Sequence, residues 1–201
     1  IHPDLVLTRT ETGWQIDVRG VESSSLSINR TYKKRFTELQ DNERAPKDEK
    51  RHVSAFVQRA EQFISCVEQR RRTLRNIGEY LTRTQAGFIS TGSLRFLQPL
   101  TRAKMASELG IHESTVSRAT MDKFVQIANG EVISFDLFFK PALRVQKMIE
   151  EILANENPNS PLSDERIAQM LAERGIDVAR RTVNKYRDRN KQLSSRKRKS
   201  A

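Results

Sequence analysis

The chain has 201 residues, room for one or two small domains with modest cores. Hydrophobic residues make up 36% and charged residues 30%, which suits a helical, heavily solvated protein with several small cores. A net charge of +11 points to a polyanionic partner, because lysines and arginines gain affinity by releasing counterions from phosphates. Residues 158–201 carry twelve Lys/Arg against five Asp/Glu, so +7 of the +11 lies in the last 44 residues. The one cysteine, Cys66, excludes an intrachain disulfide and a cysteine-based metal cluster. Beside Phe63, Ile64 and Val67 it is expected to be a buried, inert thiol. A run of about 18 apolar residues and a signal peptide are both lacking, so a cytoplasmic location is expected. The start at Ile1 reads as mid-protein, the mark of a fragment.

At the N-terminus, Leu5-Val-Leu7 and Trp14-Gln-Ile-Asp-Val18 flank Glu11-Thr-Gly13. Trp14, Ile16 and Val18 alternate with polar residues, which predicts a β-hairpin turning near Gly13 with Trp14 as an anchor in a small core. Ser23–Ser25 reads as a loop before Leu26-Ser-Ile28 and Tyr32. Residues 40–50 are polar and contain Pro46, so they form a linker or the start of a helix. From Val53 to Leu81, apolar residues recur at threes and fours. They predict one amphipathic helix from about Lys47 to Thr84, bent near Gly78 or Gln69–Thr73, or else two ordinary helices. Arg70, Arg71, Arg72 and Arg75 are either solvated or in contact with phosphate or with a regulatory region upstream in the chain.

Gln85–Gly92 breaks the helical pattern with two glycines. From Thr101 to Met121 the spacing is that of a helix-turn-helix. Ala106, Gly110 and Val116 fall at the fifth, ninth and fifteenth places of a unit that begins at Arg102. Those places need a small residue at the helix crossing, a glycine for positive φ and an apolar lock. Met105, Leu109, Ile111 and Ala119 fill its core. The second helix starts near Glu113-Ser114 and presents His112, Glu113, Ser114, Ser117 and Arg118 outward, the places from which a recognition helix reaches bases. Arg118 is the first choice for a base contact. Ser114 and Thr115 suit phosphate positioning or capping, and His112 suits the turn. Phe124–Ile127 and Val132–Phe135, joined at Asn129-Gly130, form a small wing.

Leu143 to Leu153 forms a linking helix, and Asn155–Pro161 is a boundary with two prolines and three asparagines. Ser163 caps the next helix, which carries Ile167, Ala168, Met170 and Leu171; Gly175 turns the chain. The last element is Ala179-Arg-Arg-Thr-Val-Asn-Lys-Tyr-Arg-Asp188. As a helix it sets Val183 and Tyr186 on one side and Arg180, Arg181, Asn184 and Lys185 roughly opposite. Arginine and asparagine bond guanine and adenine edges bidentately, so this stripe suits a major groove. Gly110–Val116 and Gly175–Val183 echo each other, with Ala106 and Ala168 as the matching small residues. The two elements read as a pair of DNA readers in one chain. Ser194–Ser200 reads as a disordered basic arm.

Residues 179–188 resemble the RpoN box of the sigma-N (RpoN, sigma-fifty-four) class of bacterial RNA polymerase sigma factors, usually ARRTVAKYRE. The departures are Asn184 for alanine and Asp188 for glutamate. His112–Ala119 resembles that class's HESTVSRA, and Lys123-Phe124, Gly130 and Phe138-Phe139 follow its continuation, although Val125–Gly130 departs from the usual Thr-Pro before the glycine. Pro3-Asp4 and Ile28-Asn29-Arg-Thr-Tyr32 are similar to the close of its polymerase-gripping domain. The resemblance implies a mainly α protein: a short N-terminal β-hairpin, a long amphipathic helix, a helix-turn-helix with a small wing, and a helix-turn-helix-like RpoN-box domain.

It divides the chain into the end of a core-polymerase-binding domain (1–40), a long helix and connector (41–98), a helix-turn-helix domain (99–154) and the RpoN-box domain with its tail (155–201). DNA contacts are expected from Arg180, Arg181, Thr182, Asn184, Lys185 and Arg187 and from His112, Glu113, Ser114, Thr115, Ser117 and Arg118. The implied partners are double-stranded minus-24/minus-12 promoter DNA, core RNA polymerase and an ATP-hydrolysing enhancer-bound activator. No cofactor and no enzymatic activity is expected, because paired acids, a nucleophile–base set and a phosphate loop are all lacking. A two-domain repressor or nucleoid protein shares the helix-turn-helix and is the competing class.

Overall fold

The computed structural model describes residues 2–20, 25–42, 45–157, 159–189 and 194; the basic arm beyond Ser194 lies outside them. Strands β1 (Leu5–Thr10) and β2 (Gly13–Val18) form the expected antiparallel hairpin, with Leu5 opposite Val18 and Thr10 opposite Gly13. Helix α1 (Arg30–Asp41) follows, capped by Asn29, whose side chain accepts from the Thr31 amide at 2.9 Å. This helix was not expected, although Tyr32, Phe36 and Leu39 sit at helical spacing. It packs on the start of α2, where Leu39, Val53 and Val57 are buried.

Helix α2 runs unbroken from Lys47 to Thr84, 38 residues. Its two ends belong to different cores. None of its residues from Gln58 to Thr73 is buried. Cys66 lies in that bare span and is exposed, which corrects the expectation of a buried thiol; Phe63, one turn away, is 60% exposed. The same apolar spacing that marks a helix here faces solvent. Gly78 lies within this unbroken helix. It is buried under the hairpin, and a Cβ there would lie 2.8 Å from Ile16 Cγ2 and 3.2 Å from Leu5 Cδ2.

Gln85 ends α2 and begins α3 (Ala86–Thr91), a short helix where only a break was expected. The buried Gln85 side chain grips the backbone of Gln98, accepting from its amide at 2.9 Å and donating to its carbonyl at 3.0 Å. Helices α4 (Arg102–Leu109) and α5 (Glu113–Thr120) then precede β3 (Phe124–Gln126) and β4 (Val132–Ser134). The wing and the hairpin are one sheet, in the order β2-β1-β3-β4, with β1 parallel to β3. Asp4 fastens that join. Its amide donates to the Phe124 carbonyl at 2.8 Å, and its carboxylate accepts from the Phe124 amide at 3.2 Å. Arg70 of α2 (3.3 Å) and Lys123 (3.4 Å) pair with the same carboxylate.

Helix α6 (Ala142–Ala154) links the sheet-bearing core to a second one, built with α7 (Asp164–Glu173) and α8 (Arg180–Arg189) around Ile149, Ile167, Leu171 and Val183. No helix among the described residues is long and apolar enough to cross a membrane. Because the sheet closes directly on Gly78, Gly78→Leu is expected to destabilise the chain by about 1–3 kcal/mol through overpacking. A lowered urea midpoint with unchanged slope would register this; an unaltered midpoint would show that the hairpin does not seat there.

Candidate nucleic-acid interface

The first module is set by its caps. Thr101 accepts from the Lys104 amide at 3.1 Å to start α4. Gly110, at φ +63°, ends it, with the Ile111 amide bonding the Ala106 carbonyl at 3.0 Å. His112 caps α5: its Nδ1 accepts from the Ser114 amide at 3.2 Å. Capping therefore falls to His112 and not to Ser114 or Thr115. Met105, Ala106 and Val116 are buried as the spacing required, and Leu109, Ile111 and Ala119 pack against them. Tyr80 lies in the same core; burial first, and the Glu108 carboxylate second, raise its pKa, so the phenol adds no charge.

On the outward face of α5, His112, Glu113 and Arg118 are exposed, while Ser114, Thr115 and Ser117 are half-buried. Arg118 donates to Ser114 Oγ at 3.0 Å, and that hydroxyl lies 2.8 Å from His112 Nδ1. Because Nδ1 already accepts from an amide, the hydroxyl donates to it and keeps its lone pairs for Arg118. The three side chains form one polar line along the helix.

The second module repeats the capping geometry. Ser163 accepts from the Arg166 amide at 3.1 Å, and Gly175 takes φ +74° while the Ile176 amide bonds the Leu171 carbonyl at 2.9 Å. Leu171 thus corresponds to Ala106, both four residues before their glycines; Ala168, the expected counterpart, is not at the cap. In α8, Arg180, Arg181, Asn184 and Lys185 are exposed and Thr182 is half-buried. Among the described residues, no ion pair engages Arg180, Arg181 or Lys185.

Arg187 departs from the outward set. It is 3% exposed and bonds Asp164 through Nε at 2.9 Å and Nη2 at 3.4 Å. The reason is helical phase: Arg187 lies four residues after the buried Val183 and shares its face. That spacing was visible in the sequence; its partner Asp164, 23 residues earlier, carried no such mark. Asn184 also reaches Asp164, donating from Nδ2 to Oδ2 at 3.1 Å.

The sequence matches the family model "Sigma-54, DNA binding domain" over residues 50–200, three-quarters of the chain. The chain belongs to the sigma-54 DNA-binding domain family. It is 32% identical over 199 residues to the RNA polymerase sigma-54 factor of Xanthomonas euvesicatoria, covering 94% of this chain and 40% of that protein. Similarity to the sigma-54 factor of Escherichia coli is 28% identity over the same shares. The crystal structure of Aquifex aeolicus sigmaN bound to promoter DNA is similar at a TM-score of 0.67 and 32% identity, covering 98% of this chain and 60% of that one. The chain spans about two-fifths of the length of the curated relatives it matches.

Removing Arg187 takes away the buried cation paired with a carboxylate 15% exposed, so Arg187→Ala is expected to cost about 3–5 kcal/mol of stability. Arg181→Ala, which removes an exposed side chain, should leave the melting temperature within about 0.5 kcal/mol equivalent of the unaltered chain. Calorimetry of both variants checks the division; equal effects would mean that the inward and outward arginines are not distinct.

Proposed function

We propose that the chain is the promoter-binding part of a sigma-54 type sigma factor, with α8 in the major groove of an upstream GG-containing (minus-24) element and α5 at a downstream GC-containing (minus-12) element. The outward stripe of α8 carries this reading: three cations with no ion pair among the described residues, beside an asparagine, on a helix held in phase from its other side. The line His112–Ser114–Arg118 supports a second contact, with Arg118 toward bases and Thr115 and Ser117 near phosphates. Two unlike readers in a monomer suit an asymmetric site, with the half-sites about 10–12 bp apart on one side of the duplex. Within the interface, Arg180, Arg181 and Lys185 meet guanines or phosphates, Thr182 a phosphate, and Arg187 acts through α8's orientation.

On this reading the longer protein holds core RNA polymerase in a closed complex at the promoter until an ATP-hydrolysing enhancer-bound activator remodels it, and it works in the cytoplasm. Residues 1–40 end the polymerase-gripping part, 41–98 form the long helix and connector, and 99–154 and 155–201 are the two readers. The deciding experiment is footprinting on a bipartite promoter, with a second duplex whose spacer is lengthened by half a turn, about 5 bp. Both half-sites should be protected on the first and only one on the second. Equal affinity for a scrambled duplex at physiological salt would reverse the conclusion and favour a nucleoid-type binder.

Arg181→Ala should weaken binding by about 1–3 kcal/mol and relax choice at the upstream guanines. Arg118→Ala should disturb the downstream half-site alone. Competition binding with single-base variants separates these outcomes from an even loss over all sequences, which would mark phosphate clamps.

A further inference from the structure

Asn184 stands among the arginines of α8 at a position where the similar box has alanine, and its amide is not free to turn. Its contact at 3.1 Å is with a carboxylate oxygen of Asp164. An ionised carboxylate only accepts, so the atom facing it is Nδ2, and Oδ1 points elsewhere. Asp164 is itself fixed by the buried Arg187 and sits at the first position of α7, where the helix dipole favours a negative charge. Asp164, Ala179, Arg180, Arg181 and Asn184 together line an open groove at the start of α8. The exposed amide therefore offers a groove ligand one acceptor, Oδ1, and the second hydrogen of Nδ2, in an orientation set from inside the domain.

Guanine presents two acceptors in the major groove, which that acceptor repels. Adenine N6 and cytosine N4 present an amino donor, which it accepts, and adenine N7 can take the remaining amide hydrogen. We propose that Asn184 is a base-reading residue of α8, selecting a base with an exocyclic amino group, adenine or cytosine, beside the guanines met by Arg180 and Arg181. The inference rests on the reading of α8 as a promoter-reading helix. Asp164 serves as its positioning residue, through the same carboxylate that anchors Arg187.

The test is a set of binding titrations at fixed salt on duplexes with all four base pairs placed in turn at each position flanking the upstream guanines. The unaltered 201-residue chain is expected to prefer adenine or cytosine at one flanking position by about five- to fiftyfold. Asn184→Ala should level that preference while retaining discrimination for the guanine pair. Replacing the preferred base by its analogue without the amino group (purine for adenine, pyrimidin-2-one for cytosine) should reproduce the loss with the unaltered chain and add nothing to Asn184→Ala. This second arm needs no altered protein. A flanking preference that survives Asn184→Ala, an even drop across all sequences, or indifference to the missing amino group would each overturn the assignment. If the unaltered chain fails even to distinguish the guanine pair from a scrambled duplex, the promoter-binding reading falls first and Asn184 with it.

Discussion

The orientation of the last helix hangs on a buried ion pair. Helix α8 is ten residues of mostly polar sequence, with Val183 fully buried and Tyr186 half-buried as its apolar purchase. So narrow a seam resists sliding better than rolling. A roll of one residue, about 100°, would carry the cationic stripe off the outward face. The Arg187–Asp164 contact opposes it, because a roll would draw a buried guanidinium away from the carboxylate it is paired with. The pair need not add much stability over an apolar substitute to do this. Its value lies in the one geometry it permits, which is the geometry that leaves Arg180, Arg181 and Lys185 outside.

Helix α6 contributes to the cores of both modules, through Leu143 on one side and Met148, Ile149 and Ile152 on the other. One side of it lies against the 3-10 turn at Leu94–Phe96 and the other against α7 and α8. Arg144 of α6 donates to the Gln98 side chain at 3.1 Å, and the backbone of Gln98 is held in turn by Gln85 at the end of the long helix. This continuous polar chain runs from α2 to the root of the second module. On the proposed reading the two modules share this element, so that the binding of one would raise the effective concentration of the other only where the duplex spacing matches.

Much of this was legible because local chemistry decided it. Positive φ at Gly110 and Gly175, the cap at Ser163 and the two hairpins follow from short-range residue choices, whereas periodicity left α2 open as one helix or two and the resemblance favoured the single one. What was missed is long-range. The parallel pairing of Leu5 with Val125 joins segments 120 residues apart, and nothing in either strand names the other. Cys66 failed for a related reason: periodicity shows that a face is apolar, not that anything covers it. Arg187 is the instructive case, since its phase with Val183 was available and the RpoN-box resemblance drew the whole motif outward together. A motif conserves a fold as well as a contact surface, and only spacing separates the two roles.

The two modules also differ electrically in a way that bears on how they would share the work. Residues 99–157 hold seven Lys/Arg against eight Asp/Glu, whereas residues 158–201 hold twelve against five. Arg118 in α5 has Glu113 on the same exposed stretch, while the outward face of α8 has three cations. Counterion release scales with the phosphates neutralised, so on the proposed reading most of the salt-dependent affinity would fall to the C-terminal module. The helix-turn-helix, nearly neutral as a unit, would contribute little attraction of its own and would be brought to the duplex by its connection to α8. Its contacts would then be free to report sequence or DNA shape at the proposed downstream element, because the cost of reaching the DNA would already have been met upstream.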